Sequence, residues 1–428
     1  MYRQSIKLKR RGWSGKRLGV YAGSLIAVFG LVLATPMQAL AATTGLTQQA
    51  KISFTFDDGL TSSLNKAAPA LASYGYTGTT YAITGCVGTK GTCPADPDVN
   101  YMTWAQLAQI RDTYKWEIGS HSVTHPLMTE LTAAQLENEV AASKQALVSH
   151  GFNPTAFATP YGDYDNNVKA AIAKYYTSHR PFADQQYGND YPYNDYLLYV
   201  KQVQAGVTVA KVKQYIDQAK KNKQWLVLVF HGIADNPSSN PDDYQYSTNN
   251  LKQIAAYAKT QGLPGVNVSD GLVQSDTNLL PNSTFDNGIA DGWTTDRPLN
   301  VTKDTNNHGS YPSPQNSIAF TTNSTNPTRL FSPKVGVTNT KTYILKTYLN
   351  LQKITAGEVT FYIDEYDADG NWISGQYKLG ETSADVENIN LQYKPTSANV
   401  KQASLQISVG ANSGIVGYVD SIQWFPTN

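Results

Sequence analysis

Four places in the sequence carry groups able to hold a metal or move a proton, and each directly follows a short apolar run. Asp57 and Asp58 follow the run ending at Phe56. His121 and His125 follow the run around Ile118, Tyr161 the run around Phe157, and His231 the run ending at Phe230. Two imidazoles and one carboxylate with an open coordination position form a catalytic zinc-type donor set. Adjacent aspartates leave a strand end in opposite directions, so one can reach a metal while the other reaches a water. A metal lowers the pKa of its water, a nearby carboxylate serves as general base, and a second histidine protonates the leaving group. This is chemistry for hydrolysing an acyl group. Taken singly, each signal has a plainer reading: Asp-Asp-Gly as a turn, His-x-x-x-His as a solvated helix face, His231 as a core histidine. The conjunction decides, because the chain has only six histidines and three of them fall in the pattern. The other three, His150, His179 and His308, read as structural or surface residues.

The elements that would position these groups alternate strand and helix. Strands are expected at Ile52–Phe56, Thr79–Ile83, Trp116–Ile118, Thr155–Ala158, Trp225–Phe230 and Gly265–Val268. Helices are expected at Ser62–Ser73, Trp104–Tyr114, Ala133–Ser149, Asn166–Tyr175, Val207–Lys220 and Asn249–Thr260. The alternation implies a parallel sheet, open or closed into a barrel, with functional groups at the carboxyl ends of its strands. Near residue 276 the helical periods vanish. Val359–Asp364, Gln402–Val409 and Ile415–Trp424 alternate apolar and polar residues, and Asp367–Asn371 reads as a hairpin turn. The class is α/β plus all-β, the second part an antiparallel β-sandwich.

Thr55-Phe-Asp-Asp-Gly59, His121-Ser-Val-Thr-His125 and Val229-Phe-His231 resemble three signature motifs of the polysaccharide deacetylases, carbohydrate esterase family 4, and Pro160-Tyr-Gly162 resembles part of a fourth. The resemblance spans roughly residues 50 to 275. It implies a distorted (β/α)-barrel of about seven strands and metal-dependent removal of acetyl groups from glycans. By the resemblance, Asp57 is the catalytic base; Asp58, His121 and His125 hold the metal, usually Zn2+; His231 is the catalytic acid. The Tyr161 N–H binds the oxyanion, and Pro160 and Val229 line the acetyl pocket. One departure is informative. An Arg that orients the catalytic Asp often begins the Pro-Tyr-Gly motif, and here Ala158 stands in its place. Arg180, after the next helix, is expected to supply that charge from the neighbouring strand end. Asp235 is a weak candidate for the carboxylate partner of His231.

The segments Asn278–Gly288 with Gly292-Trp293, and Val416–Trp424, resemble the entry and exit strands of jelly-roll carbohydrate-binding modules. The resemblance makes Tyr311, Tyr348, Tyr366, Trp372 and Tyr377 candidates for stacking on sugar rings, with Trp293 and Trp424 in the core. It also allows a structural Ca2+, with Asp420 as one ligand. A spacer without sugar affinity is the rival reading.

The first 17 residues carry seven basic groups and no acid, and residues 18–50 are uncharged. With Pro36 and Ala39-Leu-Ala41 following the apolar stretch, residues 1–41 read as an export signal, the alternative being a retained anchor. Taking those seven from 34 leaves 27 basic groups against 33 acids, a net charge of −6. That argues against nucleic acid as a partner. In an exported chain the two cysteines, Cys86 and Cys93, are expected to pair, which adds roughly 2–3 kcal/mol. The expected organisation is an export signal at 1–41, a linker at 42–49, a catalytic domain at 50–275 and a sandwich at 278–428. The expected function is metal-dependent deacetylation of an N-acetylated polysaccharide, in the medium or at the cell wall. The alternatives are O-acetyl esterase action and a catalytically silent glycan binder.

Overall fold

The computed structural model describes residues 49–89, 93, 99–182, 188–272, 278–322 and 324–427. The expected export segment at 1–41 lies outside them. Strands β1 (Lys51–Phe56), β2 (Thr79–Ala82), β3 (Glu117–Ser120), β4 (Ala156–Ala158), β5 (Ser178–Arg180), β6 (Lys201–Gln202) and β7 (Trp225–Phe230) form one sheet. Their order is β5-β4-β3-β2-β1-β7-β6 and every pairing is parallel. The sheet is a half-barrel, with β5 and β6 as its edges. Strand alternation divides its faces. Ile52, Phe54, Phe56, Leu226, Leu228 and Phe230 pack outward against helices. Tyr81, Ala156, Ala158, Trp225, Val227 and Val229 pack on the inner side. Gly119 is needed at the middle of β3, because a Cβ there would meet the Tyr81 ring at 2.6 Å.

The helices are α1 (Ala68–Ala72), α2 (Trp104–Tyr114), α3 (Ala133–Ser149), α4 (Asn166–Ala173), α5 (Val209–Asn222), α6 (Thr248–Thr260) and α7 (Val268–Leu272). Thr103 with Gln106 and Thr132 with Gln135 form capping boxes on α2 and α3. One expectation is refined and one corrected. The helix expected over Ser62–Ser73 is present, with a π-turn at Ser63–Ala67 leading into α1. Pro69 has no N–H to continue the regular ladder, which favours the wider turn. The strand expected at Gly265–Val268 is a single bridge from Gly265 to Ile52, after which α7 begins. There the Val268 and Ser269 N–H groups are taken by Thr79 Oγ1 and Glu117 Oε2.

A short ladder of β8 (Ile233–Ala234) and β9 (Tyr246–Ser247) precedes the sandwich. In the sandwich β10 is Thr294–Thr295, β11 Val301–Asp304, β12 Ser317–Thr322, β13 Thr328–Phe331, β14 Val335–Gly336 and β15 Tyr343–Lys353. Then follow β16 (Val359–Tyr366), β17 (Trp372–Glu381), β18 (Asp385–Tyr393), β19 (Gln402–Val409) and β20 (Ile415–Pro426). One sheet runs β10-β13-β19-β16-β17 with β14 also on β19; the other runs β11-β12-β20-β15-β18. Phe361, Ile363, Leu405, Ile407, Leu345, Leu349, Trp293 and Trp424 belong to the shared core.

Candidate active site

Each candidate group sits at the carboxyl end of its strand. The Asp57 N–H extends the ladder beyond β1 by donating to Phe230 O at 2.9 Å, and the His121 N–H does the same beyond β3, donating to Ala82 O at 2.9 Å. Asp58 then leaves the strand in the left-handed region at φ +72°, so a backbone turn, rather than the strand pleat assumed from sequence, separates the two aspartates. The turn brings Asp58 Oδ1 to 3.6 Å from His121 Nε2 and 3.7 Å from His125 Nε2. The three ligand atoms lie within 4.8 Å of one another.

The imidazoles are held in a form suited to ligation. His121 Nδ1–H donates to Ala158 O at 2.8 Å, which leaves the lone pair on Nε2 facing the cluster. Burial pushes both rings below the ordinary histidine value, His125 to about 3. Both are therefore neutral at neutral pH, the state a metal ligand needs. The loop between them is held by Glu139 on α3. Glu139 Oε2 accepts from Val123 N at 2.8 Å and Thr124 N at 2.9 Å, and Oε1 accepts from the Thr124 hydroxyl at 2.7 Å. The His125 N–H donates to Ser122 Oγ at 3.0 Å. Sequence reasoning missed Glu139. The available signal was an acid sharing the buried face of α3 with Leu136, Val140 and Ser143.

Behind the cluster Asp57 and Arg180 are both 0% exposed and form an ion pair through Arg180 Nη2 and Asp57 Oδ1. Arg180 lies opposite Ala158 in the β4–β5 register, so the charge comes from the strand next to the motif position. Its guanidinium stacks on Tyr81, 4.8 Å from the ring centre. Burial would raise the Asp57 carboxyl, but the charge of Arg180, followed by those of His121 and His231, outweighs it and holds the group below its usual range. Asp57 Oδ2 has no hydrogen-bond partner, and His231 Nε2 lies 3.9 Å away. Burial pushes His231 down to about 4, against the upward pull of Asp57. His231 Nδ1 is buried with no partner. Asp235 is not that partner: it pairs with Lys66 at the surface.

Tyr161 sits at φ +57° in the turn Pro160–Gly162, whose bonds run from Gly162 N to Thr159 O and from Asp163 N to Pro160 O. The Tyr161 N–H is not used in closing it. Tyr161 is 51% exposed with its ring 4.6 Å from that of His125, and Tyr244, 55% exposed, lies 4.7 Å from the His231 ring. Two open aromatic faces thus flank the cluster. Pro160 is buried within the turn. Val229, expected in the acetyl pocket, is fully enclosed in the inner-face cluster, so it backs the site rather than facing open space. His179 is structural: Nδ1–H donates to Tyr196 O at 2.9 Å, and Nε2 meets the Thr159 hydroxyl at 3.1 Å. His150 stacks on Trp104 and His308 on Tyr418. Cys86 and Cys93 are joined as a disulfide.

The sugar-stacking candidates divide by sheet. On the first sheet Phe361 and Ile363 point into the core, which turns Tyr362, Asp364 and Tyr366 outward. Register sets Tyr362 between Gln406 and Tyr377, Asp364 between Ser404 and Gly375, and Tyr366 between Gln402 and Trp372. Trp372 is 63% and Tyr377 55% exposed. The result is two aromatic ridges either side of a small-residue trough, with Tyr362 the member the sequence reading missed. Tyr348 is not a surface residue: it is 1% exposed and packs on Tyr196 at 5.6 Å. Tyr311 also faces the catalytic part, its N–H donating to Ala173 O at 2.7 Å and its ring lying under Lys144.

Residues 44–178 match the family model described as polysaccharide deacetylase. No curated protein matches the chain. Among solved structures, a family 4 carbohydrate esterase from Streptomyces lividans in complex with acetate is 20% identical. The match covers 50% of this chain and 91% of that one, with a TM-score of 0.35. A peptidoglycan deacetylase from Bacillus subtilis is 17% identical over 52% of this chain and 89% of that one, at a TM-score of 0.35. A family 16 carbohydrate binding module is 18% identical over 35% of this chain and 99% of that one, at a TM-score of 0.28.

Proposed function

We propose, from the premise that residues 44–178 carry a polysaccharide deacetylase domain, that this chain removes acetyl groups from an N-acetylated polysaccharide by metal-dependent hydrolysis. The observation that carries the reading is one constellation: the donor atoms of Asp58, His121 and His125 gathered within 4.8 Å, next to the buried Asp57–Arg180 pair. The donor set is that of a catalytic zinc site. A divalent metal held there supplies Lewis acidity, making water nucleophilic at neutral pH and polarising a carbonyl.

The protein groups do the rest. Arg180 occupies Asp57 Oδ1 and leaves Oδ2 to take the proton of the attacking water. The Tyr161 N–H, unused by its turn, donates to the oxyanion that develops on the acetyl carbonyl; such a donor is worth about 2.7–4 kcal/mol. His231 faces the same carboxylate oxygen and passes a proton to the leaving nitrogen. With its pKa near about 4, the ring is neutral at rest. Its proton therefore arrives during the reaction, from Asp57. Acetate leaves with a free amino sugar. Tyr161 and Tyr244 offer ring faces to the sugars on either side of the scissile group.

The ridges of Tyr362 with Tyr377 and of Tyr366 with Trp372 support glycan binding by the sandwich. Asp420 is the candidate ligand for a structural Ca2+ in the sandwich. Its Oδ2 accepts from Ser310 N at 2.8 Å, its Oδ1 has no protein partner, and burial pushes its carboxyl up to about 7. No helix among the described residues is long and apolar enough to cross a membrane. We place the site of action outside the cell or at its wall, on the composition of residues 1–41.

Acetate release from N-acetylated and O-acetylated glycans, with and without chelator, tests the reading. Asp58→Asn is expected to lose metal and activity together, whereas Asp57→Asn keeps metal and loses turnover. Release from acetylated xylan alone would replace the amide reaction with ester hydrolysis. Equal metal loss in the two variants would refute the roles assigned.

A further inference from the structure

We infer that the C-terminal sandwich is a positioning element of the catalytic site, with Lys346 fixing the strap at residues 193–198 that holds Arg180 in place. The activity readout of this inference rests on the deacetylase reading above. The starting point is the weakness of β5. It has three residues, pairs only with β4, and stands at the edge of the half-barrel. A strand this short, bonded on one side, frays. Yet it carries Arg180, whose guanidinium must hold one orientation to direct the buried Asp57 carboxylate.

The free edge of β5 is closed by the strap. The His179 N–H donates to Asp195 O at 2.8 Å, and the Leu198 N–H donates to His179 O at 3.2 Å. The His179 ring adds its bond to Tyr196 O. The strap has no regular secondary structure of its own; its inner side is held by the barrel, through Tyr193 on Trp225 and the Tyr196 hydroxyl donating to Tyr176 O, and its outer side by the sandwich. Lys346 Nζ pairs with Asp195 Oδ2, Asn390 Nδ2 donates to Tyr193 O at 2.9 Å, and the Tyr348 ring packs on Tyr196. These residues share one outward face of the second sheet, since Leu345 and Leu349 point into the core. The same face packs on α4, the helix before β5, through Val386 against Ala173, and the start of β18 adds Lys169–Asp385 and Asn166 Nδ2 donating to Ala384 O.

The nature of the central contact suits positioning. Lys346 and Asp195 are nearly buried, and a buried ion pair contributes little net stability while penalising any arrangement that separates the charges. It fixes register. Through Asp195 that register is imposed on the His179 backbone, one residue from Arg180. The sandwich thus divides its two outer faces: one is spent on the barrel, and the other carries the aromatic ridges.

The test uses the full chain with Lys346→Met, and Asn390→Ala as a milder second variant should the first not fold. Amide hydrogen exchange at His179 reads the strap directly and is expected to quicken about tenfold or more, since the amide opens with the loosened edge. Acetate release is expected to show kcat lowered about tenfold or more with KM and metal content unchanged, because small misplacements of catalytic groups are costly. The decisive comparison repeats Lys346→Met in an Arg180→Met background. There the further loss in kcat should be under about twofold, because the group through which the strap acts is gone. Equal losses in both backgrounds, or unchanged exchange and kcat, would overturn the inference while leaving the proposed function standing. If the unmodified chain releases no acetate, the function fails, and exchange at His179 alone decides the inference.

Discussion

Among the described residues Arg180 is the one cation that touches Asp57, and the consequences of Arg180→Met can be worked from the geometry. Both side chains are fully buried and joined by a single charge-assisted bond. Removing one partner of such a pair costs about 3–5 kcal/mol, because the remaining charge is stranded. The variant is expected to lose stability of this order at neutral pH, read from urea unfolding. The sign with pH follows from the depressed Asp57 value. A carboxyl whose folded pKa lies below its unfolded one stabilises the fold above that unfolded value, near about 3.9, and the contribution disappears as pH falls through the folded pKa. The stability difference between parent and variant should therefore shrink as pH falls from the variant's carboxyl value, raised by unopposed burial, to the parent's depressed one. Activity shifts in the opposite sense. With Arg180 gone, burial acts unopposed and raises the carboxyl, so the acid limb of the kcat/KM profile should move up by about 1–3 pH units. Ala158 gives the complementary gain. It stands opposite Arg180 in register, one strand spacing away. It is fully buried, so an Arg fits there only when Arg180 is also removed. The pair Ala158→Arg with Arg180→Ala should therefore recover activity that Ala158→Arg alone does not permit. A variant Arg180→Met with parental kcat and an unmoved acid limb would refute the orienting role.

Glu139→Gln keeps the shape of the His121–His125 loop but weakens three bonds to it, so metal affinity by competition with a chelator should fall about 10–100-fold; unchanged affinity would mean that the loop holds itself. Asp420 carries a stability signature. Its folded value of about 7 lies above the unfolded one, so without Ca2+ stability should fall as pH rises from about 4 to about 7. Millimolar Ca2+ should flatten that slope, and a slope indifferent to Ca2+ would remove the cation from the site. Trp372→Ala should lower retention on insoluble polysaccharide, and should lower acetate release from the insoluble polymer more than from a soluble oligomer. Equal effects on the two substrates would deny the ridges a tethering role.

The candidate site was legible in the sequence because the residues gathered there are adjacent along the chain or follow recognisable strands. Asp57, Asp58, His121, His125 and His231 all have this form, and the helices at Trp104–Tyr114 and Ala133–Ser149 are bounded by caps that sequence shows directly. Arg180 was reachable by asking which cation follows the next strand. What stayed hidden depends on distance or on parity. Strand β6 is two residues long and carries no apolar run. Lys346 and Asp195 are 151 positions apart, and neither has a local signal. Tyr348 and Trp372 look alike in sequence, each an aromatic in an alternating strand. Only the docking of one outward face decides that the first is buried and the second open.

The site also stores conformational strain, and the strain bears on how the cluster is held. Asp58, Ser122, His125 and Tyr161 all adopt positive φ, at about 1–2 kcal/mol each for a residue with a Cβ. A loop free to relax would not keep four such residues together. Each is fixed by bonds from neighbouring elements: the Asp57 N–H to Phe230 O before Asp58, the Glu139 carboxylate beneath Ser122 and His125, and the 159–163 turn around Tyr161. Two of those anchors stand on the sheet and one on a 17-residue helix. The frame therefore supplies much of the ordering that such a cluster needs. That is why Glu139→Gln should reduce affinity without unfolding the chain: the strained loop loses its restraint, while β3 and α3 keep their own packing.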